Sequence, residues 1–264
     1  MRKVKIKKKQ VKIGTFNLGD YEETYKKFRW EDYGGELTFF RKHKLNAAYN
    51  AIDRHINTNR KNKVALYFES EDGTKQKFTF LELSMLSSKS ANLLRSKGIN
   101  RGDRVFIFLP RIPELYINFL GILKTGAIAG TLFSAFQEQA LFDRLSNSSA
   151  KIVITNKELG ARIQRIRRKL TNLSEIIYVD SNEYTKEHTS MDEATHIAEM
   201  NADNPAFMLY TSGTTGKPKG VVHRHMAILQ EHLTAKWILD IRDADVYWCT
   251  ADPGWVTGIA YEIL

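Results

Sequence analysis

Between Tyr210 and Gly220 the chain reads YTSGTTGKPKG: an apolar run gives way to hydroxyls and glycines, then to two lysines separated by a proline. Gly213, Gly216 and Gly220 permit positive φ and close backbone approach, so successive N–H groups can turn toward one anion. Thr211, Ser212, Thr214 and Thr215 add hydroxyl donors, Lys217 and Lys219 add charge, and Pro218 stiffens the turn between them. This is donor chemistry suited to a polyphosphate, against the plainer reading of a Gly/Thr-rich surface turn. It is not the Walker A pattern, which needs Ser or Thr after Gly-Lys. Here Pro218 follows Gly216-Lys217, and Gly213 lies only three residues upstream of Gly216. A second stretch, Ala251 to Gly258 (ADPGWVTG), is a tight Pro-Gly loop that aims Trp255 at a pocket, whereas Trp248 is expected in the core. His223 and His225 have no carboxylate or cysteine at ligand spacing and are read as capping or packing side chains. Cys249, the single cysteine, is read as a small buried hydrophobe.

The elements that must position these residues follow a strand-helix alternation. Amphipathic spacing marks helices over Asp20 to Trp30 and Leu45 to His55, and Asp72-Gly73 joins strands Val64 to Phe68 and Gln76 to Phe80. Thr79 and Glu82 form a capping box for a helix that stops near Gly98. Strand Arg104 to Leu109 precedes a helix opened by Pro113 and ended by Gly126, and strand Ala127 to Phe133 precedes a helix over Gln137 to Asn147. Strand Lys151 to Thr155, a basic helix over Glu158 to Leu170 and strand Glu175 to Val179 complete at least three βαβ-like units. The acidic stretch Asp180 to Asn204 reads as a surface connector with one helical turn. Ala206 to Tyr210 is a buried strand type, Val221 and Val222 continue extended, His225 to Leu239 is helical, and Asp245 to Thr250 is a further strand. The pattern predicts an α/β fold with a mostly parallel sheet and helices on both faces, and in such sheets ligands bind at the carboxyl ends of the strands.

Composition bounds the function. With 264 residues and 42% hydrophobic content the chain can bury one substantial α/β core or two modest ones, which excludes an isolated binding peptide. No apolar run approaches a membrane span, the first residues lack a signal-peptide core, and one thiol fits a reducing compartment, so a cytoplasmic location is expected. The net charge of +10 invites a nucleic-acid partner, but residues 1–13 alone carry seven cations and no acid. Val4, Ile6, Val11 and Ile13 fit an edge strand with a lysine face, and no aromatic interleaving supports base stacking. Neither a nucleic acid nor a membrane is expected as a partner.

The loop YTSGTTGKPKG resembles, over its eleven residues, the phosphate-binding signature of the adenylate-forming (AMP-binding) enzymes, the superfamily of acyl-CoA synthetases, luciferases and peptide-synthetase adenylation domains. GVVHRHMAIL after the loop, WCTADPGWVTGIAY, and the earlier DYEETYKKFRW, NLLRSKGI and GDRVFIFLPRIPELYINFLGILKTGAI are similar to the acetate–CoA ligase branch, so the resemblance runs from about residue 18 onward. It implies part of the large N-terminal domain of that fold, with mostly parallel sheets flanked by helices, and an ATP-dependent activation of acetate followed by transfer to coenzyme A. The small-molecule partners implied are ATP, acetate and coenzyme A, with Mg2+ as the metal. By resemblance Thr211 stands near Mg2+, Trp255, Val256 and Thr257 line the acetate pocket, Thr257 also lies beside coenzyme A, and Arg162 and Arg165 reach its phosphates. The expected organisation is a basic tail and helical extension over 1–44 and an incomplete AMP-binding domain over 45–264. The family's adenine and ribose motifs and its C-terminal domain with the catalytic lysine are expected to lie outside these 264 residues. Two outcomes are therefore expected: dependence on a missing C-terminal half, with poor solubility alone, or an inactive nucleotide-binding remnant.

Overall fold

The computed structural model describes residues 16–211 and 216–264; the lysine-rich segment 1–13 and the loop residues Ser212, Gly213, Thr214 and Thr215 lie outside them. Helix α1 (Tyr21–Lys27) starts where Asp20 accepts the Glu23 N–H, and α2 (Ala47–Ala51) where Asn46 accepts that of Ala48. The expected helix over Leu45 to His55 is thus shorter, closing in a 3-10 turn at Asp53–His55. Strands β1 (Val64–Glu69) and β2 (Lys75–Thr79) form an antiparallel pair apart from the main sheet. Helix α3 (Phe80–Ser96) carries the expected capping box: the Thr79 side chain takes the Glu82 N–H while the Glu82 carboxylate takes the Thr79 N–H.

The alternation then runs β3 (Arg104–Phe108), α4 (Pro113–Thr125), β4 (Ile128–Thr131), α5 (Glu138–Asn147), β5 (Ile152–Thr155), α6 (Lys157–Ile166), β6 (Glu175–Tyr178), α7 (Asn182–Ser190) and β7 (Pro205–Thr211). Among the described residues these strands, with β8 (Lys219–Arg224), make one sheet in the order β6-β5-β3-β4-β7-β8. All pairings are parallel except β7 with β8. The chain steps from β3 to β4 in one direction and from β4 back across β3 to β5 in the other. Right-handed crossovers then place α4 and α5 on opposite faces.

Period-two alternation accounts for both cores. Val105, Ile107, Ala129, Ile152, Ile154, Phe207 and Leu209 face α3 and α4, while Phe106, Phe108, Val153, Met208 and Tyr210 face Leu141 and Leu145 of α5 and Ile163 of α6. The N-terminal segment is tied to the first face. The fully buried Lys124 sets Nζ 2.8 Å from Asp53 Oδ1 and 3.0 Å from Ser84 O, and Phe28 and Tyr33 pack edge-on against Trp237 of α8 (Ala227–Trp237). The fold class is the α/β, mostly parallel one that the sequence pattern predicts.

Three expectations differ. The connector Asp180 to Asn204 holds a nine-residue helix, α7, rather than one turn; Ser181 caps it and the buried Tyr184 accepts from Asn118 Nδ2 at 3.1 Å, so a single apolar anchor suffices in an otherwise polar stretch. Asp245 to Thr250 forms no strand, because its alternating Val-Tyr-Trp-Cys pattern has no strand beside it among the described residues to pair with. For the same reason Trp248, expected in the core, is 83% exposed, while Cys249 is buried as expected. Beyond it lies the short helix α9 (Val256–Gly258), which continues as a wide π-helical turn over Ile259–Ile263.

Candidate functional site

Strand β7 is buried from Ala206 through Tyr210 and emerges at the exposed Thr211, from which the glycine-rich stretch begins. The chain returns along β8, with Thr211 opposite Lys219 and Tyr210 opposite Gly220, so β7 and β8 form an antiparallel hairpin. Gly216 takes φ +82, a methyl added to it would meet nothing within 4 Å, and Lys217, Lys219 and Gly220 are exposed. The hairpin is rooted by Tyr210, whose hydroxyl donates to Asn147 Oδ1 at 2.7 Å. Both downstream histidines pack. The His223 ring stacks on Phe207 at 4.5 Å, and the buried His225 accepts the Ala47 N–H on Nδ1 at 3.1 Å, with burial holding its pKa down at about 4.

The second stretch is built in the opposite manner. Asp252 Oδ1 accepts the Gly254 N–H at 2.7 Å, Asp252 O accepts the Trp255 N–H at 2.9 Å, and the Thr131 hydroxyl at the end of β4 donates to Pro253 O at 2.6 Å. A methyl on Gly254 would fall 2.7 Å from the Phe133 backbone nitrogen, and one on Gly258 2.6 Å from Asp252 O, so only glycine allows these approaches. Trp255 is 52% exposed with its ring 6.4 Å from that of Phe133, and Val256 and Thr257 are exposed beside it at the start of α9. Beneath the turn Arg111 donates to Thr250 O and the Tyr116 hydroxyl to the Glu262 carboxylate. Burial pushes the Asp252 and Glu262 carboxyls up from their ordinary range, with Arg111 opposing in both cases. A cleft of about 1050 Å3 opens next to this network between β1, α8 and residues 241–249. Arg111, Tyr116 and Glu262 line it, but Trp255, Val256, Thr257 and the described residues of the hairpin do not, so volume alone points away from them.

Since β4 and β7 are parallel neighbours, Thr131 and Thr211 end at the same edge of the sheet, which is the ligand-bearing edge of open α/β folds. The two motifs singled out in the sequence therefore rise side by side. The α6 arginines bond to neither motif among the described residues. Half-buried Arg162 donates through Nη1 to Ser134 O at 2.7 Å and Phe136 O at 3.0 Å, and exposed Arg165 pairs with Glu138 at 2.5 Å. Among the described residues no group of three or more His, Cys, Asp or Glu side chains could hold a metal. Sequence reasoning missed Thr131, Phe133, Phe136, Arg144 and Arg111. For Thr131, Phe133 and Phe136 the only signal was position, at or just past the carboxyl end of β4.

The family described as AMP-binding enzyme matches residues 52–264. The acetyl-coenzyme A synthetase of Bacillus subtilis is 47% identical over 259 residues, which cover 95% of this chain and 45% of that protein. That of Wolinella succinogenes is 36% identical over 269 residues, 92% of this chain and 41% of the relative. The crystal structure of a Brucella canis acyl-CoA synthetase superposes with a TM-score of 0.83 at 28% identity, covering 92% of this chain and 45% of that one. The chain thus spans about half the length of the curated relatives it matches. No helix among the described residues is long and apolar enough to cross a membrane.

Proposed function

The chain belongs to the AMP-binding enzyme family, and from that premise we propose that it serves an acetate–CoA ligase acting in the cytoplasm. Acetate would be joined to the α-phosphate of ATP with release of pyrophosphate, and the acetyl group passed to the thiol of coenzyme A. The observation that carries this reading is the meeting of the donor-rich hairpin and the ADPGWVTG turn at one carboxyl edge, in a chain 47% identical to an acetyl-coenzyme A synthetase.

In-line attack of a carboxylate oxygen on the α-phosphorus needs the departing phosphates held and their charge met. The stretch Ser212 to Gly216, with Lys217 and Lys219, supplies N–H, hydroxyl and ammonium donors for the β- and γ-phosphates. A single oriented donor at such a site is worth roughly 3 kcal/mol of transition-state stabilisation. Thr211 fits as one hydroxyl toward Mg2+, a cation that would otherwise be held by phosphate oxygens and would offset their charge. Trp255 and Val256 wall the carboxylate pocket, and Thr257 stands between that pocket and the coenzyme A path. A small apolar wall discriminates only about 1–3 kcal/mol per methylene, so acetate over propionate requires a wall that does not yield. The exposed, exchangeable Arg165–Glu138 pair leaves Arg165 able to turn to a coenzyme A phosphate.

Acetate-dependent exchange of labelled pyrophosphate into ATP tests the reading, run with this chain alone and mixed with the second half of the Bacillus subtilis relative. Exchange in either format supports it, and restoration by the second half shows dependence on those residues. MgATP binding without exchange in both formats overturns it in favour of a non-catalytic nucleotide-binding remnant.

A further inference from the structure

The hairpin and the turn are joined by the short loop that leaves β4. Phe133 presses its backbone against Gly254 and its ring toward Trp255, and Phe136 meets Phe133 edge-on with centroids 5.7 Å apart. The Arg144 guanidinium lies 4.1 Å over the Phe136 ring and 5.8 Å from the ring of Tyr210, the root of the hairpin. A continuous path of rings and one cation therefore runs from Tyr210 through Arg144, Phe136 and Phe133 to Trp255. Arg162 of α6 clamps its middle: Nη1 donates to both Ser134 O and Phe136 O, the two carbonyls that bracket Ala135.

We propose that Arg162 is a positioning residue: by fixing the Phe133–Phe136 loop it sets the Trp255 wall against the hairpin, and so acts on the carboxylate pocket with no coenzyme A present. The part concerning the pocket rests on the acetate–CoA ligase reading, whereas the mechanical coupling does not. An arginine whose task is to meet a coenzyme A phosphate would leave loop and wall unchanged in the absence of that ligand. A clamp would not.

The test compares the whole chain with its Arg162→Ala, Arg162→Lys and Arg168→Ala forms, Arg168 being an exposed residue of the basic turn that follows α6. Amide hydrogen exchange is read at 133–136 and at 254–258. Trp255 emission is isolated as the difference between each form and its Trp255→Phe counterpart. Without coenzyme A, Arg162→Ala should exchange roughly tenfold or more faster at both stretches, as expected for two lost charge-assisted hydrogen bonds. Its Trp255 emission should shift to the red, Arg162→Lys should recover part of both effects, and Arg168→Ala should match the parent. In the pyrophosphate-exchange assay, run without coenzyme A, the acetate KM of Arg162→Ala should rise about fivefold or more while kcat changes less. Acceleration confined to 133–136, or no change at either stretch, overturns the coupling. Concerted change at both stretches and at Trp255 upholds it even if no form carries out exchange, a result that would count against the ligase reading alone.

Discussion

The hairpin and the ADPGWVTG turn rise from neighbouring strands, yet one is held by its rim and the other by its interior. Among the described residues β8 pairs only with β7; Gly216 has open space around it, and both loop lysines are exposed. The turn has the reverse character: Pro253 is buried with its carbonyl bonded to Thr131, and two glycines sit where no methyl fits. On the function proposed here the difference follows from the ligands. A triphosphate is long, flexible and highly charged, so many donors spread over an exposed stretch can meet it. A two-carbon carboxylate offers little to grip, and selection must come from a wall that stays in place.

That contrast can be broken by substitution. The largest effect is expected for Gly258→Ala, whose methyl meets the Asp252 carbonyl at 2.6 Å; backbone cannot step aside as a side chain can, so about 3 kcal/mol of unfolding free energy should be lost in urea titration. Next comes Thr131→Val, which keeps the volume but leaves Pro253 O without its buried donor; about 1–3 kcal/mol should go, with the Trp255 signal changing in step. Smallest on stability is the pair Lys217→Ala and Lys219→Ala, each expected within about 0.5 kcal/mol of the parent in the same titration. Calorimetry should nevertheless show clearly weaker MgATP binding for both. If the lysine variants unfold as easily as Gly258→Ala, the hairpin is a structural element and the contrast fails.

Most of the fold was legible because it rests on consecutive residues. The Thr79–Glu82 capping box, Pro113 at a helix start and the alternating faces of Val105 to Phe108 are local patterns with local causes. The stretch Asp245 to Thr250 misled for a physical reason. Strand propensity measures how well a side chain suits a pleated surface, and it becomes a strand only where another strand supplies hydrogen bonds. The site was legible in its two motifs and illegible in the bridge between them. Arg144 touches Tyr210 across 66 residues of sequence and Thr131 reaches Pro253 across 122, distances at which no periodicity survives.

Helix α6 makes the same point about charge. The resemblance implied coenzyme A phosphate contacts for Arg162, and what the structure adds is that its Nη1 donates to two backbone carbonyls. By itself the sequence determined the donors of the glycine-rich loop, the strand-helix alternation and the family, because backbone tolerance, hydrogen-bonding capacity and burial period belong to neighbouring residues. Only the tertiary structure decided that the hairpin and the Trp255 turn share an edge, and that an arginine and two phenylalanines join them. Strand order and close approach arise from the packing of the whole sheet, which no single stretch of chain encodes.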